Sequence, residues 1–215
     1  MKIPPTFRDE AEAESYEFFD KNIRELPKNP DGTINTTARE FHDNDVDAFR
    51  HAYVSGVFTQ EYSETAADVF GRLNEFFGPD LYSNSTNPRA LNMDLWNNSV
   101  GRKYGKKTNG RTTLLKMLQK ALKDGELITD PTDRRNYRGA KSNPERASKP
   151  IVAIKEDKNG RNELFFDIIK RQGFTLAEFL DQINAGAYPG YVVKEIRGKP
   201  TPVSKRDKRR TNNIG

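Results

Sequence analysis

The chain has no cysteine, only two histidines and a single tryptophan among its 215 residues. The first absence removes disulfides and thiolate metal centres. The second removes any zinc site built on several histidines. No apolar run approaches the roughly 20 residues needed to span a bilayer. The opening Met1-Lys-Ile-Pro-Pro5 lacks the apolar stretch of a Sec signal peptide. The expectation is a protein made in the cytoplasm without a Sec signal and, if it acts outside its cell, exported by a specialised secretion system to a target-cell envelope. There is no nucleotide-binding glycine loop, no G-x-S-x-G elbow, no H-E-x-x-H pair and no DNA-binding fingerprint.

Hydrophobic residues make up 34% of the chain and charged residues 31%, so the core must be economical. The net charge of +5 is unevenly placed. Residues 1–100 carry 9 Lys+Arg and 18 Asp+Glu, net −9, and residues 101–215 carry 27 and 13, net +14. A basic half of this kind suits an anionic surface, whether nucleic acid, lipid head group or another polyanion. The alternative is a solvated surface that ends in the basic run Lys205 to Arg210.

Periodicity and punctuation predict helices over residues 8–26, from a cap at Asp43 or Asn44 to Phe58, from Ser63 to Phe77, from Pro88 to Tyr104 and from Arg111 to Lys123. Gly105 and Gly125 are read as helix stops, and Asn29-Pro-Asp-Gly32 as a turn. Further on, residues 151–155 and 164–169 suit a hairpin around Asp157 to Gly160. Thr175 suits the cap of a last helix, Leu176 to Ala185, and Tyr191 to Ile196 suits a strand. The fold expected is mainly α. Residues 1–125 would form a helical core with a cleft. Residues 126–215 would be a basic, partly irregular extension packed on it, with a short β-hairpin.

The chemistry concentrates between Asp43 and Arg102. Asp47 and His51 are four apart on one helix and therefore share a face, with Ser55 one turn further on. A carboxylate beside a histidine orients the ring and raises its basicity, as a general base requires. The same spacing suits two ligands of one divalent cation. An ordinary surface pair gives the same pattern. Arg50 suits an anionic group, or an ion pair with Asp47 or Asp94. On the fourth helix Asp94, Asn97 and Asn98 stand at i, i+3 and i+4, and Arg102 continues the stripe. Asparagine is a poor helix former, so two of them mid-helix ask for a reason. They can hold a histidine, ligate a cation or stabilise an oxyanion, or they can fix helix packing through a buried network. Trp96 points away from this stripe. Glu75 stands beside two phenylalanines, where a carboxyl tends to be raised and can serve as an acid.

The strings Asp47-Ala-Phe-Arg-His-Ala-Tyr53, Met93-Asp-Leu-Trp-Asn-Asn-Ser-Val-Gly-Arg102 and Ala121-Leu-Lys-Asp-Gly-Glu-Leu127 resemble an uncharacterised family of bacterial domains. These lie at the C-termini of large secreted or toxin-like proteins. The resemblance implies a toxin or effector setting, with an immunity protein or secretion carrier as partner. It also implies that relatives carry histidine at the positions of Asn74 and Trp96. Asp47, His51, Glu75 and Asp94 match, whereas the fuller metal set does not.

The function expected first is an antibacterial hydrolase acting on an envelope phosphoester, lipid or peptidoglycan-related bond. His51 would be its acid–base, oriented by Asp47 or Asp94, with Asn97 and Asn98 at the oxyanion and Arg50 or Arg102 on the anionic group. A peptidoglycan glycoside hydrolase using Glu75 and Asp94 is the second expectation. A non-enzymatic protein gripping nucleic acid or an anionic surface is the third.

Overall fold

The computed structural model of the chain describes residues 5–37, 39–77, 87–141 and 150–205, with the side chains of residues 5, 6, 39 and 74–77 not described. The described residues fall into two compact units, 5–141 and 150–205. The fold is mixed, not mainly α. Among the described residues, six α-helices are accompanied by five strands in two antiparallel sheets, and these strands all lie in the second unit.

The first unit is helical: α1 (Pro5–Asn22), α2 (Asp45–Glu61), α3 (Glu64–Phe77), α4 (Pro88–Gly105) and α5 (Arg111–Lys123). Asn44 caps α2 by accepting from the amides of Val46 and Asp47. The Ser63 hydroxyl accepts from Ala66 at the start of α3. Pro88 occupies the first turn of α4, behind an Asn87 cap. After α5, Gly125 adopts a φ of 72°. Its amide donates to Leu122, and the next amide, Glu126, donates to Ala121. That pairing of the last carbonyls in a left-handed turn is the expected glycine stop. α1 ends four residues before the sequence reading placed it, because the Asp20 carboxylate accepts the Leu26 amide at 2.8 Å and turns the chain.

α4 ends at Gly105 as expected, but that glycine has no left-handed φ. It and Gly101 let α4 lie against α2 backbone to backbone. A Cβ on Gly101 would stand 1.9 Å from the Ala52 carbonyl oxygen, and one on Gly105 would stand 2.3 Å from that of Gly56. The helices run in the same direction at this crossing, since Ala52 meets Gly101 and Gly56 meets Gly105. The core around it includes Phe19, Phe49, Tyr53, Met93, Leu114 and Leu118, all fully buried. Leu127 and Ile128 belong to this same core. The helical unit therefore continues past residue 125, where the sequence reading began an irregular extension.

The second unit is built on β1 (Ile151–Glu156), β2 (Asn162–Asp167) and β3 (Gln172–Thr175), followed by α6 (Leu176–Asn184) and the hairpin β4 (Tyr191–Ile196) with β5 (Lys199–Ser204). β1, β2 and β3 form an antiparallel meander, with Phe165 opposite both Ala153 and Phe174. Thr175 caps α6 in a reciprocal pair with Glu178. Phe165, Phe174, Phe179, Ile183, Tyr188 and Tyr191 form its core. This is a packed β-rich unit and not a basic extension. Residues 150–205 carry 9 Lys+Arg and 7 Asp+Glu, while residues 101–141 of the helical unit carry 12 and 4. The run from residue 206 onward lies outside the described residues. No helix among the described residues is long and apolar enough to cross a membrane.

Candidate active site between α2 and α4

The first turn of α2 fixes Asp47. Asp43, just before the Asn44 cap, takes a left-handed φ of 56°, which Asp tolerates better than most residues. Its amide then donates to Asp47 Oδ2 at 2.9 Å. One turn on, His51 is buried on the same face, and Ser55 is buried one turn beyond that. The close α2–α4 crossing brings Asp94 to the same place. His51 Nε2 stands 3.5 Å from Asp47 Oδ1 and 3.5 Å from Asp94 Oδ1. The three donor atoms lie within 4.8 Å of one another, and all three residues are buried.

Arg50 closes the group. Its Nη2 donates to Asp47 Oδ1 at 2.6 Å and stands 2.8 Å from His51 Nε2. Its Nη1 reaches Glu12 of α1 at 3.2 Å, and Arg8 holds the same Glu12 oxygen at 2.8 Å. Burial pushes the Asp47 carboxyl up, but the Arg50 charge, His51 and the Asp43 amide outweigh it and hold the group below its ordinary value. Glu12 is lowered in the same way by Arg50 and Arg8, against its burial. Arg50 stays charged well beyond its usual range despite burial, because Asp47, Tyr16 and Glu12 surround it. Arg50 therefore sits inside the cluster as a structural cation.

The stripe on α4 divides. Asn97 is spent on structure: its Nδ2 donates to the Ile128 carbonyl at 2.8 Å, and its Oδ1 accepts the Ile128 amide at 2.9 Å. Both halves of its amide are satisfied, so the oxyanion role expected of it is not available. Asn98 stays in line with Asp94 and is buried against α3, its Nδ2 being 3.2 Å from where a Cβ on Gly71 would stand. Arg102 continues that line. Its Nη2 lies 3.1 Å from Asp68 Oδ1 and 3.2 Å from the Tyr137 hydroxyl. Arg72 of α3 holds the other Asp68 oxygen at 3.0 Å. Two guanidinium groups thus share one carboxylate, about 12 Å along α4 from Asp94 at 1.5 Å per residue.

Trp96 faces away, as expected, and donates to the Glu126 carbonyl at 2.9 Å. Glu75 lies on α3, and its side chain, with the pairing to Asp94 expected of it, lies outside the described residues. Glu12, Asp43, Asp68, Arg72 and Tyr137 were not singled out as site residues from sequence. Only Asp68 and Arg72 carried a local signal, as an i, i+4 ion pair. The others meet the site through the fold.

A cleft of about 400 Å³ opens on another face of α4, lined by Trp96, Ser99, Lys103, Glu126 and Arg135. Its charged groups are committed to structure. Lys103 pairs with Glu126 at 2.9 Å, and Arg135 donates to the carbonyls of Gly125, Glu126 and Leu127. It offers no reactive group.

Residues 31–126 match a family described as a domain of unknown function (DUF6973). The matched stretch holds Asp47, Arg50, His51, Asp68, Asp94 and Arg102, and it ends before the β-rich unit. No curated protein and no solved structure matches the chain.

Proposed function

We propose that the helical unit is a hydrolase of an antibacterial toxin or effector, acting on an anionic bond of the bacterial envelope, with Asp47, His51 and Asp94 as the centre that activates water. The observation that carries this reading is the convergence of two carboxylate oxygens on one imidazole nitrogen, all three groups buried. Burial of ionisable groups is costly unless they serve each other or a function. Arg102 and Arg72 supply the anion-binding element. Both guanidinium groups meet on the Asp68 carboxylate, and guanidinium groups so placed suit a phosphoester or another anionic group. The envelope setting rests on the resemblance of the Asp47–Tyr53 and Met93–Arg102 strings to toxin-associated domains.

The arrangement differs from a histidine base of the Ser-His-Asp kind. There the carboxylate holds one ring nitrogen and the other faces the substrate. Here both carboxylates and Arg50 Nη2 stand around the same Nε2. Water activation is therefore a property of the cluster and not of a free imidazole.

The test directs the full chain to the cytoplasm or to the periplasm of a bacterial host, as wild type and as His51→Ala, with circular dichroism to check that the variant folds. Killing from the periplasm only, abolished by His51→Ala, is the expected result. Equal killing by the folded variant, or none by the wild type in either compartment, removes the hydrolase reading. Killing from the cytoplasm moves the target away from the envelope.

A further inference from the structure

The geometry points to a divalent-cation site at Asp47, His51 and Asp94, one that Arg50 and the ion occupy in competition. Three electron-pair donors converge: Asp47 Oδ1, His51 Nε2 and Asp94 Oδ1, with two of their separations at 3.5 Å and all within 4.8 Å. An ion equidistant from three atoms so spaced lies about 2.0–2.4 Å from each, which is the range of imidazole and carboxylate bonds to divalent metals.

Arg50 Nη2 already stands at this triangle as a cation: it donates to Asp47 Oδ1 at 2.6 Å and lies 2.8 Å from His51 Nε2. A divalent ion would meet the same two atoms and Asp94 Oδ1 at once.

A second observation lies one turn along α2. The Ser55 hydroxyl is buried, and no group among the described residues hydrogen-bonds it. Position 55 continues the face of Asp47 and His51, so it suits a water bound to the ion.

Arg50 Nη2 stands at two of the three donors, as a protein cation in the place of the metal. Its Nη1 is already on Glu12 at 3.2 Å, so the guanidinium can withdraw from the triangle and stay paired. One nitrogen and two carboxylate oxygens favour a first-row ion such as Zn²⁺ or Mn²⁺ over Ca²⁺, which takes oxygen ligands in larger number. Such an ion supplies a bound water of lowered pKa. His51 is then a ligand and Asp94 a carboxylate that completes the set. The inference rests on the hydrolase reading only for the use of the ion, since binding is measured without substrate.

The test uses the full chain, stripped with chelator and titrated with Zn²⁺ and with Mn²⁺ by calorimetry. Co²⁺ titration provides an absorption spectrum as a second readout. One ion per chain with micromolar or tighter affinity is expected. Asp94→Asn and His51→Gln should each weaken it at least tenfold, and Arg50→Gln should tighten it by removing the competitor. No saturable binding by the wild type in either readout overturns the site, whether or not any variant folds. Binding unchanged in folded Asp94→Asn or His51→Gln also overturns it, and weaker binding in Arg50→Gln overturns the competition. Stoichiometric binding by a protein that does not kill would keep the site and remove the hydrolase.

Discussion

Two buried carboxylate sites, one in each unit, are handled in opposite ways. In the β-rich unit Asp167 is nearly inaccessible and surrounded by donors: the Tyr188 hydroxyl at 2.8 Å and the amides of Ile169 and Lys170 at 2.9 Å. Around it lie aromatic rings in edge-on and tilted contact, with Phe179 meeting Phe165, Tyr188 and Tyr191. In the helical unit Asp47, held by Arg50 and the Asp43 amide, and Asp94 each bring an oxygen to 3.5 Å from the same imidazole nitrogen. Buried polar groups there also include Ser55, Asn97, Asn98 and Arg102. A carboxylate ringed by donors is a structural fixture. Two carboxylates converging on one buried imidazole also offer three ligand atoms to a cation, and that is why function is proposed for the helical unit.

The comparison depends first on the α2–α4 crossing. A Cβ at Gly101 cannot fit beside the Ala52 carbonyl, so Gly101→Val should cost the helical unit about 3 kcal/mol or more. Chemical denaturation would show this, with hydrogen exchange accelerated in α2 and α4 and unchanged in β1 to β3. A well-tolerated valine would mean that the crossing does not hold the cluster together.

A matched pair of substitutions sharpens the contrast next. Asp167→Asn puts an amide NH₂ among three donors and should lose about 2 kcal/mol, the usual range for hydrogen bonds to a charged acceptor. Asp94→Asn removes one of two carboxylates that face the same imidazole and should cost less stability than Asp167→Asn or raise it, as substitution at functional groups often does. If both variants lose the same stability in urea titrations, the cluster is a structural network like the other.

The smallest expected effect is on pH. Burial and, less strongly, Asp167 push the Tyr191 hydroxyl up to about 12, against the Ile151 amide, which lowers it. A raised folded-state value means that the contribution is fully present below the unfolded tyrosine value near 10 and is lost as pH rises toward 12. The β-rich unit should therefore weaken between about pH 10 and 12, and Tyr191→Phe should flatten that slope. The midpoint of unfolding against pH, read by near-ultraviolet circular dichroism, checks this; an unchanged slope in the variant would assign the alkaline loss to other tyrosines.

Much of the local structure is legible in the chain because it is enforced by neighbours in sequence. Asn44, Ser63, Thr175 and Gly125 act on amides and carbonyls within a few residues, so their roles need no tertiary knowledge. The i, i+4 face of Asp47 and His51 follows from helical pitch, and the β1–β2 hairpin closes around Asp157 to Gly160, where it was expected. Fold class was misread for a related reason. β3 and β5, for which no strand is expected from sequence, are distinguished from loops only by pairing with β2 and β4 and by an aromatic core that exists only once the strands meet.

The site shows the same division. Sequence by itself determined that two polar stripes exist and which residues lie on each. It did not determine that Asp94 rather than Asn97 reaches His51, because both lie within one turn of the same helix. That choice was made by the glycine crossing, which turns Asp94 and Asn98 toward α2 and α3, and by Ile128, whose backbone occupies Asn97. Nor could sequence place Arg50 against His51 Nε2 and Glu12 at once, since Glu12 comes from a helix 38 residues away. Hydrogen-bond capping and helical periodicity are short-range and written in adjacent residues. The convergence of charges on one nitrogen is set by how closely two backbones approach, and only the folded chain fixes that distance.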